Sequence, residues 1–192
     1  TPTGYINVKF IHPQDAWTGT NNRRMDKAYG IIRYADILLM YAEALSNLVP
    51  GETYEVTLGD GEPVTVTRDV EEIKYAFNQV RHRAGLPGIT DAELVDHETF
   101  QPILEQERMI ELLCENHRYF DVRRWGIYER EENITIQGMN IDGDKDTFYQ
   151  VVVPNTSRIG SRLVHKKLYL LPIPLAEIRR LPSCDQNPGW ED

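Results

Sequence analysis

Cysteine is nearly missing from this chain of 192 residues, which holds only Cys114 and Cys184. Two thiols cannot form a disulfide framework, and neither stands among enough other ligands for a metal site. A single bridge would need Cα atoms within about 7 Å, a distance the sequence does not fix. Cys114 falls among apolar helical positions and reads as a small core residue. Long apolar runs are absent too. No stretch reaches the roughly 20 residues that a membrane-crossing helix needs, and the opening TPTGYINVKF does not read as a basic-then-apolar leader. Basic residues are outnumbered, with 21 Lys and Arg against 30 Asp and Glu, a net charge of −9. That balance argues against a nucleic-acid partner and against adhesion to anionic lipid. The five histidines are scattered, and His-Glu-x-x-His, Gly-x-Ser-x-Gly and Gly-rich phosphate loops are all missing. No nucleophile, phosphate site or cofactor is therefore expected.

What is present reads as one mainly α domain. Residues 1–30 form an irregular lead-in. Between 31 and 48, Tyr34, Ile37, Leu38, Tyr41, Ala44, Leu45 and Leu48 repeat at helical spacing. Leu39, Met40 and Ala42 widen the stripe, so both sides of this helix are expected to be covered. Glu52–Leu58 and Pro63–Thr67 alternate in the manner of a β-hairpin around Gly59-Asp60-Gly61. Asp69 with Glu72 predicts a capping box opening a second helix, whose buried stripe is Ile73, Ala76, Phe77, Val80 and Ala84. The 31–86 segment is thus helix–hairpin–helix, of the tetratricopeptide type. No third copy follows at a fixed period, so the pair must pack on something else. Thr90 with Glu93 predicts a further cap. A long helix is expected over about 100–117, with Pro102 in its first turn. Residues 129–162 read as a long loop, Lys167–Pro172 as a short strand, Leu175–Arg180 as a last helical turn, and Trp190 as a docked anchor.

The densest information lies in Glu107–Gly126, ERMIELLCENHRYFDVRRWG. Met109, Ile110, Leu113 and Cys114 give an apolar stripe. Beside it stand Glu107, Arg108, Glu111, Arg118, Asp121, Arg123 and Arg124. Charges so close to a core must be paired, because an unpaired buried charge costs several kcal/mol, and the planar guanidinium suits two-bond contacts with carboxylates. The stretch predicts a structural clamp of Arg–carboxylate pairs with Tyr119, Phe120 and Trp125 packed over it.

This segment resembles the ER..EL..E..R.FD.RRWG signature of the SusD/RagB family of outer-membrane nutrient-binding lipoproteins. Three further blocks match in the family's order: IRYADILLMYAEALSNL from Ile32, AFNQVRHRAGLP from Ala76, and LLPIPLAEIRRLPSCDQNPGW from Leu170. Asn116 stands where the family usually has Gly, Leu181-Pro182-Ser183-Cys184 replaces its Asn-Pro-x-Leu, and Trp190 replaces its final Tyr. The resemblance implies the C-terminal portion of a longer, surface-exposed outer-membrane lipoprotein, whose N-terminal lipid anchor and further tetratricopeptide helices lie outside this chain. It implies non-catalytic binding of an oligosaccharide or other nutrient, handed to a SusC-like TonB-dependent transporter.

Alternative chemistries can be weighed on residues. Glu107 and Glu111, four apart, could span the carboxyl separation of a glycoside hydrolase, but neighbouring arginines would keep both ionised and leave no general acid. Asp142, Asp144 and Asp146 alternate like the start of a calcium loop, yet Thr147 and Val153 occupy the positions of its Gly and Glu. Aromatic rings in loops offer platforms for the C–H faces of sugars, and Trp17, Tyr149 and Tyr128 are the candidates in that order. A tetratricopeptide-type protein-interaction scaffold is the second function that fits, and a glycoside hydrolase the third.

Overall fold

The computed structural model describes residues 1–15, 22–57, 59–132, 135–154, 164–181 and 183–191, with no side-chain description for 131–132. These divide into two compact units, Gln14–Arg118 and Thr1–Pro13 with Tyr119–Asp192. The fold is mainly helical, as the sequence predicts.

The first unit is built on three helices, α1 (Tyr34–Ser46), α2 (Val70–Arg83) and α3 (His97–Glu111). Strands β1 (Thr53–Val56) and β2 (Val64–Thr67) pair antiparallel between α1 and α2, with Tyr54 opposite Val66. Side-chain contacts fix the directions. Arg33 and Tyr34 at the start of α1 line one groove with Gln79 and Arg83 near the end of α2, so these helices are antiparallel. Asp36 meets Arg108, and Ser46 lies 3.4 Å from His97, so α3 also runs against α1.

The core is Leu38, Leu39, Ala42 and Leu45 from α1, Ile73, Ala76, Phe77 and Val80 from α2, and Ile89, Leu94, Phe100 and Leu104. Phe77 and Phe100 meet edge to face at 5.2 Å. Each fully buried side chain of this size contributes roughly 1.5–3 kcal/mol, and truncating Phe77 to Ala should cost about 3–5 kcal/mol. Only one face of α1 is covered. Tyr34, Ile37, Met40 and Tyr41 are exposed, contrary to the all-round burial expected from composition. No neighbouring element among the described residues covers that face. Ala84, expected in the buried stripe of the second helix, is its exposed C-cap.

Local chemistry sets the ends. Asp69 accepts from the amides of Glu71 and Glu72, half of the predicted box; the Glu72 carboxylate instead accepts from the Tyr41 hydroxyl. The Glu93 carboxylate takes both the amide and the hydroxyl of Thr90. Asp96 caps α3 through the Thr99 amide at 2.7 Å, three residues earlier than the sequence suggests, so Pro102 sits in the second turn. Gly85, at φ +76°, closes α2: its amide reaches His82 O at 3.0 Å and the Leu86 amide reaches Arg81 O at 2.9 Å, a Schellman ending that needs a left-handed residue.

The expected helix over 100–117 is broken. After Glu111 the chain turns through Leu112–Asn116 before α4 (His117–Arg124). Cys114 and Asn116 both adopt left-handed backbone, φ +63° and +66°. Asn tolerates that region better than most residues, which explains how it serves where the resembling family uses Gly. Cys114 is exposed here rather than buried in a core, and neither cysteine is in a disulfide.

In the second unit, Gly126 ends α4 in the same Schellman manner, with Ile127 N bonded to Val122 O at 3.0 Å. A short α5 (Tyr128–Glu132) follows. Within the expected long loop, β3 (Gly138–Met139) and β4 (Val151–Val152) pair antiparallel. Lys166–Tyr169 is a 3-10 turn, not the expected strand, and α6 spans Leu175–Arg180. No helix among the described residues is long and apolar enough to cross a membrane.

Candidate functional site

Charged side chains of the first unit form several separate groups of ion pairs, most of them crossing between elements. Arg108 and Asp36 form the most buried contact: Nη1 donates to Oδ1 at 3.0 Å, with side chains 3% and 7% exposed. The His117 ring nitrogen Nδ1 lies 3.8 Å from the second oxygen. Arg81 donates to Glu107 at 2.8 Å and, through Nε, to Pro87 O at 2.7 Å, tying α3 to the loop after α2. Arg33 spans two carboxylates, Glu111 at 2.9 Å and Glu115 at 2.8 Å, and Glu111 also binds Arg83. The hydrogen bond to Glu115 is the main reason the Arg33 guanidinium is held above its ordinary range, with desolvation opposing and Glu111 assisting.

Glu107, Arg108 and Glu111 are therefore all paired, but with partners the charged segment does not itself contain. Arg33, Asp36, Arg81 and Arg83 supply them. A signal for these existed in the sequence, since Arg33 and Asp36 flank Tyr34 in the RYAD block and Arg81 and Arg83 sit in VRHRAG. Their distance along the chain hid the match.

In the second unit, Asp121 is buried and accepts from Arg124 Nε at 2.9 Å, and the Arg124 guanidinium lies 4.4 Å over the Trp125 ring. Arg123 makes no ion pair among the described residues. It stacks between Tyr119 at 3.6 Å and Tyr128 at 4.0 Å and donates to Tyr119 O and Leu168 O. Such stacking is worth about 0.5–2 kcal/mol per ring. Arg118 is half-buried. Tyr119, 45% exposed, covers only Arg123, and Phe120 is 65% exposed.

The aromatic candidates separate. Trp17 lies outside the described residues. Tyr128 carries Arg123 on one face, meets Tyr169 edge to face at 5.7 Å, and donates its backbone amide to the Tyr169 hydroxyl oxygen at 2.9 Å; its ring is engaged in packing. Tyr149 is 79% exposed on the β3–β4 loop, braced edge to face by Phe148 at 5.2 Å. Its ring is open to solvent. In the same loop, Asp144 Oδ1 accepts from the amides of Asp146 and Thr147 and from the Thr147 hydroxyl. Those bonds, the Thr147 hydroxyl first, hold its carboxyl below the usual range. Asp144 is thus satisfied within its own turn, and no group of three metal-ligating side chains converges among the described residues.

The closing segment is a backbone brace. Gln186 accepts from Ile173 N at 2.7 Å and donates to Ile173 O at 2.9 Å, as a β-partner would. Asn187 donates to Leu171 O at 2.7 Å, and Trp190 Nε1 to Lys167 O and Leu170 O. An open, largely apolar groove of about 420 Å³ lies between Lys166, Leu170 and Pro188.

Three ion-paired helices, a loop-rich second unit and a braced tail define a mainly helical fold of tetratricopeptide type. More particularly, the chain belongs to the SusD family, whose model matches residues 1–190. It is 26% identical over 174 residues to the SusD-like protein P2 of Formosa agariphila, spanning 90% of this chain and 28% of that protein. A SusD-like protein from Bacteroides fragilis NCTC 9343 shares the fold at TM-score 0.60 and 32% identity, over 83% of this chain and 25% of the other. A SusD superfamily protein from Bacteroides vulgatus ATCC 8482 aligns at TM-score 0.50 and 28% identity, over 83% and 27%. The chain spans about a quarter of the length of these relatives.

Proposed function

We propose that this chain is part of a non-catalytic nutrient receptor at the outer-membrane surface. The receptor holds an oligosaccharide or other nutrient and passes it to a SusC-like TonB-dependent transporter. Family membership over nearly the whole chain carries this reading. The paired state of the charged segment supports it. Glu107 and Glu111 each face guanidinium groups, and a general acid needs a carboxyl free to hold a proton near neutral pH. In this reading the first unit is scaffold, and Tyr149 offers a stacking platform. Attachment to the membrane is through a lipid anchor on the longer protein. Capture and release proceed without a bond made or broken. The test is incubation of the full-length protein with a panel of oligosaccharides, followed by calorimetry and product analysis. Binding without products is expected, and cleavage products would refute the reading.

A further inference from the structure

The β1–β2 hairpin has no part in the receptor reading above. Its strands pair only with each other, so each keeps an outer edge of backbone donors and acceptors without a third strand among the described residues. On its inner face, Val66 packs on the core, whereas Val56 and Val64, opposite each other in register, are 40% and 52% exposed. An open, unprotected edge is a template for another strand, and proteins usually blunt it with Lys, Pro, a bulge or a cover. Neither Lys nor Pro occurs within these strands. The charge here has one sign. Between Val49 and Thr67 stand Glu52, Glu55, Asp60 and Glu62 with no Lys, Arg or His. The imbalance is regional: residues 14–118 hold 19 Asp and Glu against 10 Lys and Arg, while the other unit holds 11 of each. The nearest cation, Arg68, is turned to Leu94 O at 2.8 Å.

We propose that the hairpin is a docking edge for an extended, lysine- or arginine-rich strand of a protein partner. The open ladder supplies backbone bonds, the four carboxylates select a cationic strand, and the Val56–Val64 pair receives an apolar side chain between its cations. A second copy of this hairpin would bring carboxylate against carboxylate, so edge-to-edge self-pairing is disfavoured. The proposal deepens the receptor reading by taking the transporter as the protein that carries the strand.

The probe is a ten-residue alternating Lys–Val peptide added to the isotope-labelled full-length protein, with Glu–Val peptide and spermine as controls. The expected result is amide exchange slowed in Thr53–Val56 or Val64–Thr67 by the Lys–Val peptide alone. Affinity should weaken about tenfold or more in the E52Q/E55Q/D60N/E62Q variant, with its melting temperature unchanged. Binding without hairpin protection, equal affinity in the variant, or protection reproduced by spermine would each overturn the proposal. Co-purification with the transporter tests the source of the strand. Loss in the variant supports the hairpin contact, and retention by both proteins rejects it while leaving the receptor reading intact. Failure of the wild type to retain the transporter counts against the receptor reading, and the peptide result then judges the docking edge by itself.

Discussion

Arg108→Met is the sharpest test of the scaffold. Arg108 and Asp36 are nearly sealed from solvent and bonded at 3.0 Å. Unit charges about 4 Å apart at an effective dielectric near 20 attract by about 4 kcal/mol, and that attraction offsets the desolvation of both groups. Removing only the guanidinium strands the Asp36 carboxylate, at a cost of about 3–5 kcal/mol. In a protein of this size each kcal/mol lowers the melting temperature by roughly 2–4 °C, so a fall of about 6–20 °C is expected. Replacing both partners, Arg108→Met with Asp36→Leu, removes the stranded charge and should recover most of the loss, because a well-packed apolar pair can match a buried ion pair. Urea denaturation followed by helical circular dichroism measures both. A single variant within about 1 kcal/mol of wild type, or a double variant no better than the single, would refute the reasoning.

Three further outcomes follow from the same contacts. Asp121→Ala removes a buried acceptor of Arg124 Nε and should cost about 1.5–3 kcal/mol, read by thermal melting, with oligosaccharide affinity per folded molecule unchanged. Gln186→Ala removes both bonds to Ile173, and hydrogen exchange at the Ile173 amide should accelerate about tenfold or more for a loss near 1.4 kcal/mol; an unchanged rate would reject the brace. Glu93, held low chiefly by the Thr90 hydroxyl, and Asp96, held low chiefly by the Thr99 amide, lie below ordinary values of 4.5 and 3.8. Depressed carboxyls contribute stability that is complete above those ordinary values and lost as pH falls through the folded ones, so Glu93→Gln with Asp96→Asn should flatten the acid limb of a stability–pH curve.

The sequence located α2 to within a residue at its start because its signals are local. Asp69 reaches amides two and three residues on, and Gly85 supplies a left-handed backbone next to the last turn. The second Schellman glycine, Gly126, acts over the same span. By contrast, the break at Leu112–Asn116 interrupts an apolar periodicity that continues through it, so pattern alone ran the helix on to residue 117. Tyr128 and Tyr149 illustrate the limit for sites. Both are aromatic residues in irregular segments, and only the placement of Arg123 and Tyr169 separates the packed ring from the exposed one.

What the sequence determined by itself was the helical class, the start and stop of α2, and the family signature. All of these rest on chemistry within a few residues or on composition. Tertiary structure decided who pairs with whom: Arg33 with carboxylates 78 and 82 residues away, Asp36 with Arg108, and Arg81 with Glu107. It also decided which face of α1 is buried and which is left open. A guanidinium finds its carboxylate only after three helices have packed on a shared apolar core, and that packing sets distances which spacing along the chain does not contain.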